Sequence, residues 1–175
     1  MEVVQGPDNT LEKNLLFEKL VADHQTSLLR TCYLFLRDRG LAEDAVSETF
    51  LKAYKNFEGF RGDSSEKTWL MRIAVNVCRD MQRTSWFLYV NRRITPDMLP
   101  ETADEPEPNE DSLLLEILNL PKKLREVVIL YYYQNYDTSE IADLLGIARS
   151  SVSSRLQRAR TKLREVLERT VRYEQ

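Results

Sequence analysis

Thr138-Ser-Glu-Ile-Ala-Asp-Leu-Leu-Gly-Ile-Ala-Arg-Ser-Ser-Val-Ser-Ser-Arg-Leu-Gln-Arg-Ala-Arg160 decides the fold. Asp137 followed by Glu140 forms a capping box for a short helix that buries Ile141, Leu144 and Leu145. Gly146 supplies a left-handed turn, which costs a residue without Cβ little. In the next helix Val152, Leu156, Ala159, Leu163 and Val166 recur at helical spacing and form the inward stripe. Ser153, Ser154, Gln157, Arg158 and Thr161 fall on the opposite face. Two helices joined in this way make a helix-turn-helix, whose second helix enters the DNA major groove. Serine, glutamine and arginine are side chains that hydrogen-bond base edges, whereas Arg149 and Arg155 are placed to grip phosphates. An ordinary helical hairpin with a solvated face has the same periodicity. The turn glycine and the charge asymmetry described next favour the DNA reader.

The net charge of −3 conceals a division along the chain. Residues 1–84 are nearly neutral, 85–112 strongly acidic and 113–175 basic. From Arg149 to Arg172 basic side chains far outnumber acidic ones, as phosphate neutralisation requires. The acidic middle carries Pro96, Pro100, Pro106 and Pro108 with few apolar residues. Such a composition cannot bury enough surface to offset its ordering entropy, so a mobile linker is expected; an acidic mimic of nucleic acid is the sharper alternative. The expected order is a tail (1–14), a helical domain (15–90), a linker (91–112) and a second helical domain (113–173).

Composition points to an all-α protein: 42% of its 175 residues are hydrophobic, and glycine and proline are few. Met1 to Asn14 lacks the apolar core of a signal peptide, and no window is long and apolar enough to span a bilayer. Cys32 and Cys78 lie outside any Cys-x-x-Cys pattern and read as buried thiols, in keeping with the cytoplasm. His24 is the only histidine. Without a phosphate-binding glycine loop, metal cluster or nucleophile–base pair, neither an enzyme nor a cofactor or metal is expected.

The N-terminal domain carries two informative helices. Leu41 to Phe57 buries Val46, Phe50, Ala53, Tyr54 and Phe57 and shows Asp44, Ser47, Glu48, Leu51 and Lys55 on its other side. An exposed leucine among acids suits a docking face, and a merely solvated face equally. Thr68 to Arg83 buries Trp69 or Leu70, then Ile73, Ala74, Val77 and Met81. Opposite them Arg72, Asn76, Arg79 and Arg83 form a row that can follow a phosphate backbone. Between the helices, Asn56-Phe-Glu-Gly-Phe-Arg-Gly-Asp-Ser-Ser65 offers either a pocket for an unpaired base or a connection with Phe57 and Phe60 plugged into the core.

From Phe17 to Leu167 the chain resembles the extracytoplasmic-function (group IV) sigma factors of the sigma-70 family. The resemblance rests on four motifs in order: Ala42-Glu-Asp-Ala-Val-Ser-Glu-Thr-Phe-Leu-Lys-Ala-Tyr54, Phe60-Arg-Gly-Asp-Ser64, Thr68-Trp-Leu-Met-Arg-Ile-Ala-Val-Asn76 and Ser151-Val-Ser-Ser-Arg-Leu-Gln-Arg-Ala-Arg160. It implies that Asp44, Ser47, Glu48 and Leu51 dock on the β′ clamp helices of core RNA polymerase, with the β flap a further contact. It implies that Phe60, Arg61, Asp63, Ser64, Arg72, Asn76, Arg79 and Arg83 capture the melted −10 promoter strand. The −35 duplex would fall to Arg149, Ser151, Ser153, Ser154, Arg155, Gln157 and Arg158. A cognate anti-sigma factor is an expected partner. Departures are Ser47 where the family usually has glutamine, Ser150-Ser-Val152 where it often has Gly-Thr-Val, and Ser153 where it has a basic residue. The alternative is a stand-alone helix-turn-helix regulator with a helical dimerisation domain. The row from Arg72 to Arg83 argues against it, because a dimerisation domain needs no second DNA face.

Overall fold

Helix α1, Pro7–Leu36, is the longest element in a computed structural model that describes residues 7–60, 62–83 and 108–173. It starts within the expected tail. Proline suits a first helical turn, and the early turns are tied down: Lys13 pairs with Glu58 at 2.8 Å and the Tyr54 hydroxyl donates to Asn14 Oδ1 at 2.8 Å. The domain therefore begins before residue 15. At the other end Arg37 takes a left-handed conformation, φ 58, and its N–H returns to the Tyr33 carbonyl at 2.7 Å. Asp38 then caps α2, Arg39–Lys55, by accepting from the Leu41 N–H.

After a single 3-10 turn at Phe57–Gly59, Ser65 caps α3, Glu66–Arg83, through a bond from the Thr68 N–H to its hydroxyl. Helices α1, α2 and α3 pack mutually around Leu28, Phe35, Ala42, Ala45, Ala53, Leu70 and Ala74. Phe17 meets Phe50, Tyr54 and Phe57 edge-to-face, closing one end of this bundle.

The C-terminal half comprises α4 (Pro108–Asn119), α5 (Lys122–Val128), α6 (Thr138–Leu145) and α7 (Arg149–Tyr173). Residues 108–112, expected in the linker, are helical. Pro108 and the acidic residues after it suit a helix N-terminus, whose dipole favours negative charge. The rest of the expected linker, up to residue 107, lies outside the described residues. Pro121, expected at a first helical position, is the cap preceding α5. Helix α5 runs into a π-helical turn at Ile129–Tyr133, which no periodicity announced.

The two halves pack against each other through α3 on α6 and through α1 on α5 and its π-helical turn. Helix α3 buries Met71, Val75, Cys78 and Gln82 as well as the expected Leu70, Ala74 and Val77, with Gln82 Nε2 donating to the Phe35 carbonyl of α1. Cys32 and Cys78 are buried, as expected, and a hydrogen bond to Cys32, aided by burial, holds the Cys78 thiol well above its usual pKa. Among the described residues no helix is long and apolar enough to cross a membrane.

Candidate nucleic-acid and polymerase interface

The C-terminal reader is built by short-range chemistry. Asp137 Oδ1 accepts from the Ser139 and Glu140 N–H groups at 2.7 and 2.9 Å, and Glu140 Oε2 accepts from the Asp137 N–H at 2.8 Å. These donors hold the Asp137 carboxyl below its ordinary pKa, because they bond its charged form. Gly146 is left-handed at φ 63, ψ 42 and redirects the chain into α7. Val152, Leu156 and Ala159 are fully buried, with Leu163 packed against the same core. Ser153, Ser154, Gln157, Arg158 and Thr161 are exposed on the far side.

The hydroxyls of Ser153 and Ser154 donate to carbonyls one turn back, those of Arg149 and Ser150. Their lone pairs therefore face outward as acceptors, fit for the amino groups of cytosine or adenine. Arg149 Nε donates to Thr138 Oγ1 at 2.9 Å, which fixes this arginine beside the start of α6. Ser151 and Arg155 are half-buried at the edge of the same helix.

The N-terminal face is less uniform. Asp44, Ser47 and Leu51 are exposed on α2, Glu48 is half-buried, and Leu51 keeps 49% of its surface in solvent. The Ser47 hydroxyl donates to the Glu43 carbonyl and Glu48 pairs with Lys52 at 3.5 Å, so Leu51 sits among groups already bonded within α2. In the loop, Phe60 lies against Trp69 with ring centroids 4.8 Å apart, and both rings are half-exposed. Phe57 turns inward to Phe17 and Trp69. Phe57 thus packs against the core, while Phe60 and Trp69 form a partly open aromatic surface. Asp63 is exposed and Ser64 half-buried, while Arg61 lies outside the described residues.

On α3, Trp69, Arg72 and Asn76 follow at helical spacing, and Arg72 and Asn76 are exposed. Arg83 is exposed and pairs with Asp80 at 3.3 Å. Arg79 departs from the expected row. Its Nη1 donates to the Leu145 carbonyl at 2.7 Å and its Nη2 to Glu126 at 3.2 Å, both in the C-terminal half. The cause is the packing of α6 over that flank of α3. Arg125 and Glu126, not singled out from the sequence, complete this junction. Their signal was two charges inside the apolar run Leu124 to Leu130, a pattern that buried groups with partners produce.

A third feature lies on the outer side of the C-terminal half. Leu113, Ile117, Val128, Tyr132, Tyr133 and Leu163 line an open, mostly apolar groove of about 470 Å³. Tyr132 and Tyr133 remain half-exposed there, and Arg160 Nε donates to the Tyr132 hydroxyl at 2.8 Å.

Residues 20–87 match the family of sigma-70 region 2 and residues 110–163 that of sigma-70 region 4. SigM of Mycobacterium tuberculosis, an ECF RNA polymerase sigma factor, is 31% identical over 155 residues, covering 86% of this chain and 76% of that protein. SigW of Bacillus subtilis is 29% identical over 165 residues, covering 86% of this chain and 88% of that one. SigG of Mycobacterium tuberculosis is 33% identical over 171 residues, but the chain spans only 46% of its length. Among solved structures, the sigma factor RpoE of Bartonella quintana, in complex with the anti-sigma factor NepR, matches 87% of this chain and 96% of its own with a TM-score of 0.67 and 22% identity. CnrH in complex with the cytosolic domain of CnrY matches 87% of each chain with a TM-score of 0.62 and 26% identity. With regions 2 and 4 in order on an all-helical fold, the chain belongs to the extracytoplasmic-function (ECF) RNA polymerase sigma factors.

Proposed function

We propose that this chain binds core RNA polymerase and directs promoter-specific transcription initiation, reading the −35 duplex and holding the melted −10 strand. The observation that carries the reading is the pairing of a capped helix-turn-helix, its polar face free, with a second exposed row on α3. In this account Gln157 and Arg158, with the serines beside them, read base edges, and Arg149 and Arg155 bind phosphates. Phe60 and Trp69 provide the stacking surface for an unpaired base, next to Arg72 and Asn76. Asp44, Ser47, Glu48 and Leu51 dock on the β′ clamp helices, and the groove beside Tyr132 and Tyr133 receives the apolar part of the β flap.

Promoter melting loses stacking worth on the order of 1–2 kcal/mol per base step. A protein that hydrolyses no nucleotide must offset that with contacts available only in the melted state. The chain is accordingly a non-catalytic, cytoplasmic initiation factor. RpoE was captured with the anti-sigma factor NepR, and CnrH with the cytosolic domain of CnrY, which supports a cognate anti-sigma factor here. Transcription by core polymerase with the purified protein on a library of random promoters tests the reading. Recovery of templates sharing two separated elements is expected. A protein that instead binds palindromic duplexes alone as a dimer, and yields no transcripts, is a stand-alone regulator.

A further inference from the structure

Packing fixes helices better than it fixes the long side chains at their edges. Helices α6 and α7 bury Ile141, Leu144, Leu145, Val152 and Leu156 in one core, and such apolar contacts are not directional. An exposed arginine beside that core keeps its rotamer freedom unless a directional bond removes it. Arg149 is such a residue: it opens α7, is exposed, and stands one turn before Ser153, whose hydroxyl donates to the Arg149 carbonyl. Its Nε donates to Thr138 Oγ1 at 2.9 Å, across the turn at the left-handed Gly146. The Nε–H bond lies in the guanidinium plane. One hydrogen bond there sets the direction of the whole fork and leaves both Nη groups as donors.

The chemistry of the partner matters as much as the distance. Arg39, Arg79 and Arg83 pair with Glu43, Glu126 and Asp80 respectively, and a carboxylate competes with phosphate for a guanidinium. Thr138 is neutral, so it orients Arg149 without taking its charge. Asp137 is the acid close enough to feel that charge, although the Glu140 and Ser139 N–H groups are the chief causes of its lowered pKa. Those same two groups hold Asp137 Oδ1 at 2.9 and 2.7 Å, turned to the backbone of α6.

We propose that Thr138 is a positioning residue for DNA binding: it aims the Arg149 guanidinium at the phosphate backbone beside the −35 element, so that α6 shares in a contact made by α7. This rests on the sigma reading for the identity of the duplex, whereas the tether rests on the bond between the two side chains. Ordering a rotamer-rich side chain before binding, rather than during it, strengthens association by about two- to tenfold.

The test uses the full chain bound to core polymerase and measures affinity for duplexes with different −35 sequences over a range of salt. Thr138→Val keeps the shape and removes the acceptor, and should bind every duplex about two- to tenfold more weakly. Its salt dependence should match the wild type, because Arg149 keeps its charge. Thr138→Ser restores the acceptor and should restore the affinity. Arg149→Ala should weaken binding at least as much and lower the salt slope by about one; in that background Thr138→Val should cost nothing more. Undiminished affinity in Thr138→Val overturns the proposal, as does a loss that persists without Arg149 or that serine fails to rescue. In the free protein, nuclear magnetic resonance should show the Arg149 Nε–H exchanging with water more slowly than in Thr138→Val. Equal exchange removes the tether whatever the polymerase does. A protected Nε–H in a chain that binds no core polymerase counts against the sigma reading instead.

Discussion

Helices α3 and α7 carry the two surfaces proposed to meet DNA, and they stand in different states. Helix α7 shows Ser153, Ser154, Gln157 and Arg158 to solvent, the serine hydroxyls already oriented by their own backbone. Helix α3 has only part of its row free, because Arg79 is held by the other half of the molecule. Helix α7 needs only local structure to be complete, whereas the row on α3 depends on what its neighbour does.

The largest effect is expected on the α3 side. Base–aromatic stacking is worth about 1–3 kcal/mol per base. Phe60→Ala and Trp69→Ala should accordingly lower open-complex yield several-fold to a hundred-fold, measured by permanganate reactivity of the melted strand. Binding to core polymerase should be unaffected, and Asn76→Ala should behave likewise. Equal open-complex yield in all three would remove strand capture from α3 and leave α7 as the only DNA surface. On the α7 side, Arg158→Ala should reduce discrimination between −35 sequences by about 1–3 kcal/mol if it contacts a base edge. A loss of equal size on every −35 sequence would make Arg158 a phosphate contact and move base reading to Gln157 and the serines.

These two helices also differ in how far their sequences disclosed them. The helix-turn-helix was legible in detail: cap, turn glycine and inward stripe are each set by residues within four positions of one another. The same holds for Asp44, Ser47 and Leu51, whose exposure follows from the period of α2. Arg79 was misplaced because its partners lie 47 and 66 residues away, and helical periodicity only reports which faces differ, not what covers them. Met71, Val75 and Gln82 were missed for the same reason. The π-helical turn at Ile129–Tyr133 and the early start of α1 escaped because tertiary contacts, such as Lys13 with Glu58, set them. The groove beside Tyr132 and Tyr133 arises only when α4, the π-helical turn and α7 come together.

A smaller effect probes whether α7 is as locally determined as its sequence implies. A Cβ added at Gly146 would meet nothing within 4 Å, so Gly146→Ala costs only left-handed strain, about 1–2 kcal/mol. For a chain of this size that lowers the melting midpoint by roughly 2–8 °C. Gly146→Asn should recover part of the loss, since asparagine tolerates this conformation better than alanine. If alanine were neutral, the turn would be set by packing between α6 and α7 rather than by the backbone preference of one residue.

The smallest effect concerns acid. Bonds from two backbone N–H groups hold Asp137 below its ordinary pKa in the folded state. A depressed carboxyl pKa contributes stability that is fully present above the unfolded value near 4 and is lost as pH falls through the folded one. The capped start of α6 should then loosen below about pH 4, visible as faster amide exchange at Ser139 and Glu140. Asp137→Asn keeps an effective cap without a titrating group. It should leave exchange at neutral pH nearly unchanged and flatten the acid dependence at these two amides. Glu126 offers the contrast on the α3 side: it holds Arg79 across the junction, so its removal acts on a contact between the halves rather than on a local helix cap. An acid dependence that survived in Asp137→Asn would place the sensitivity in that junction, and the reading helix would then depend on its neighbour as α3 does.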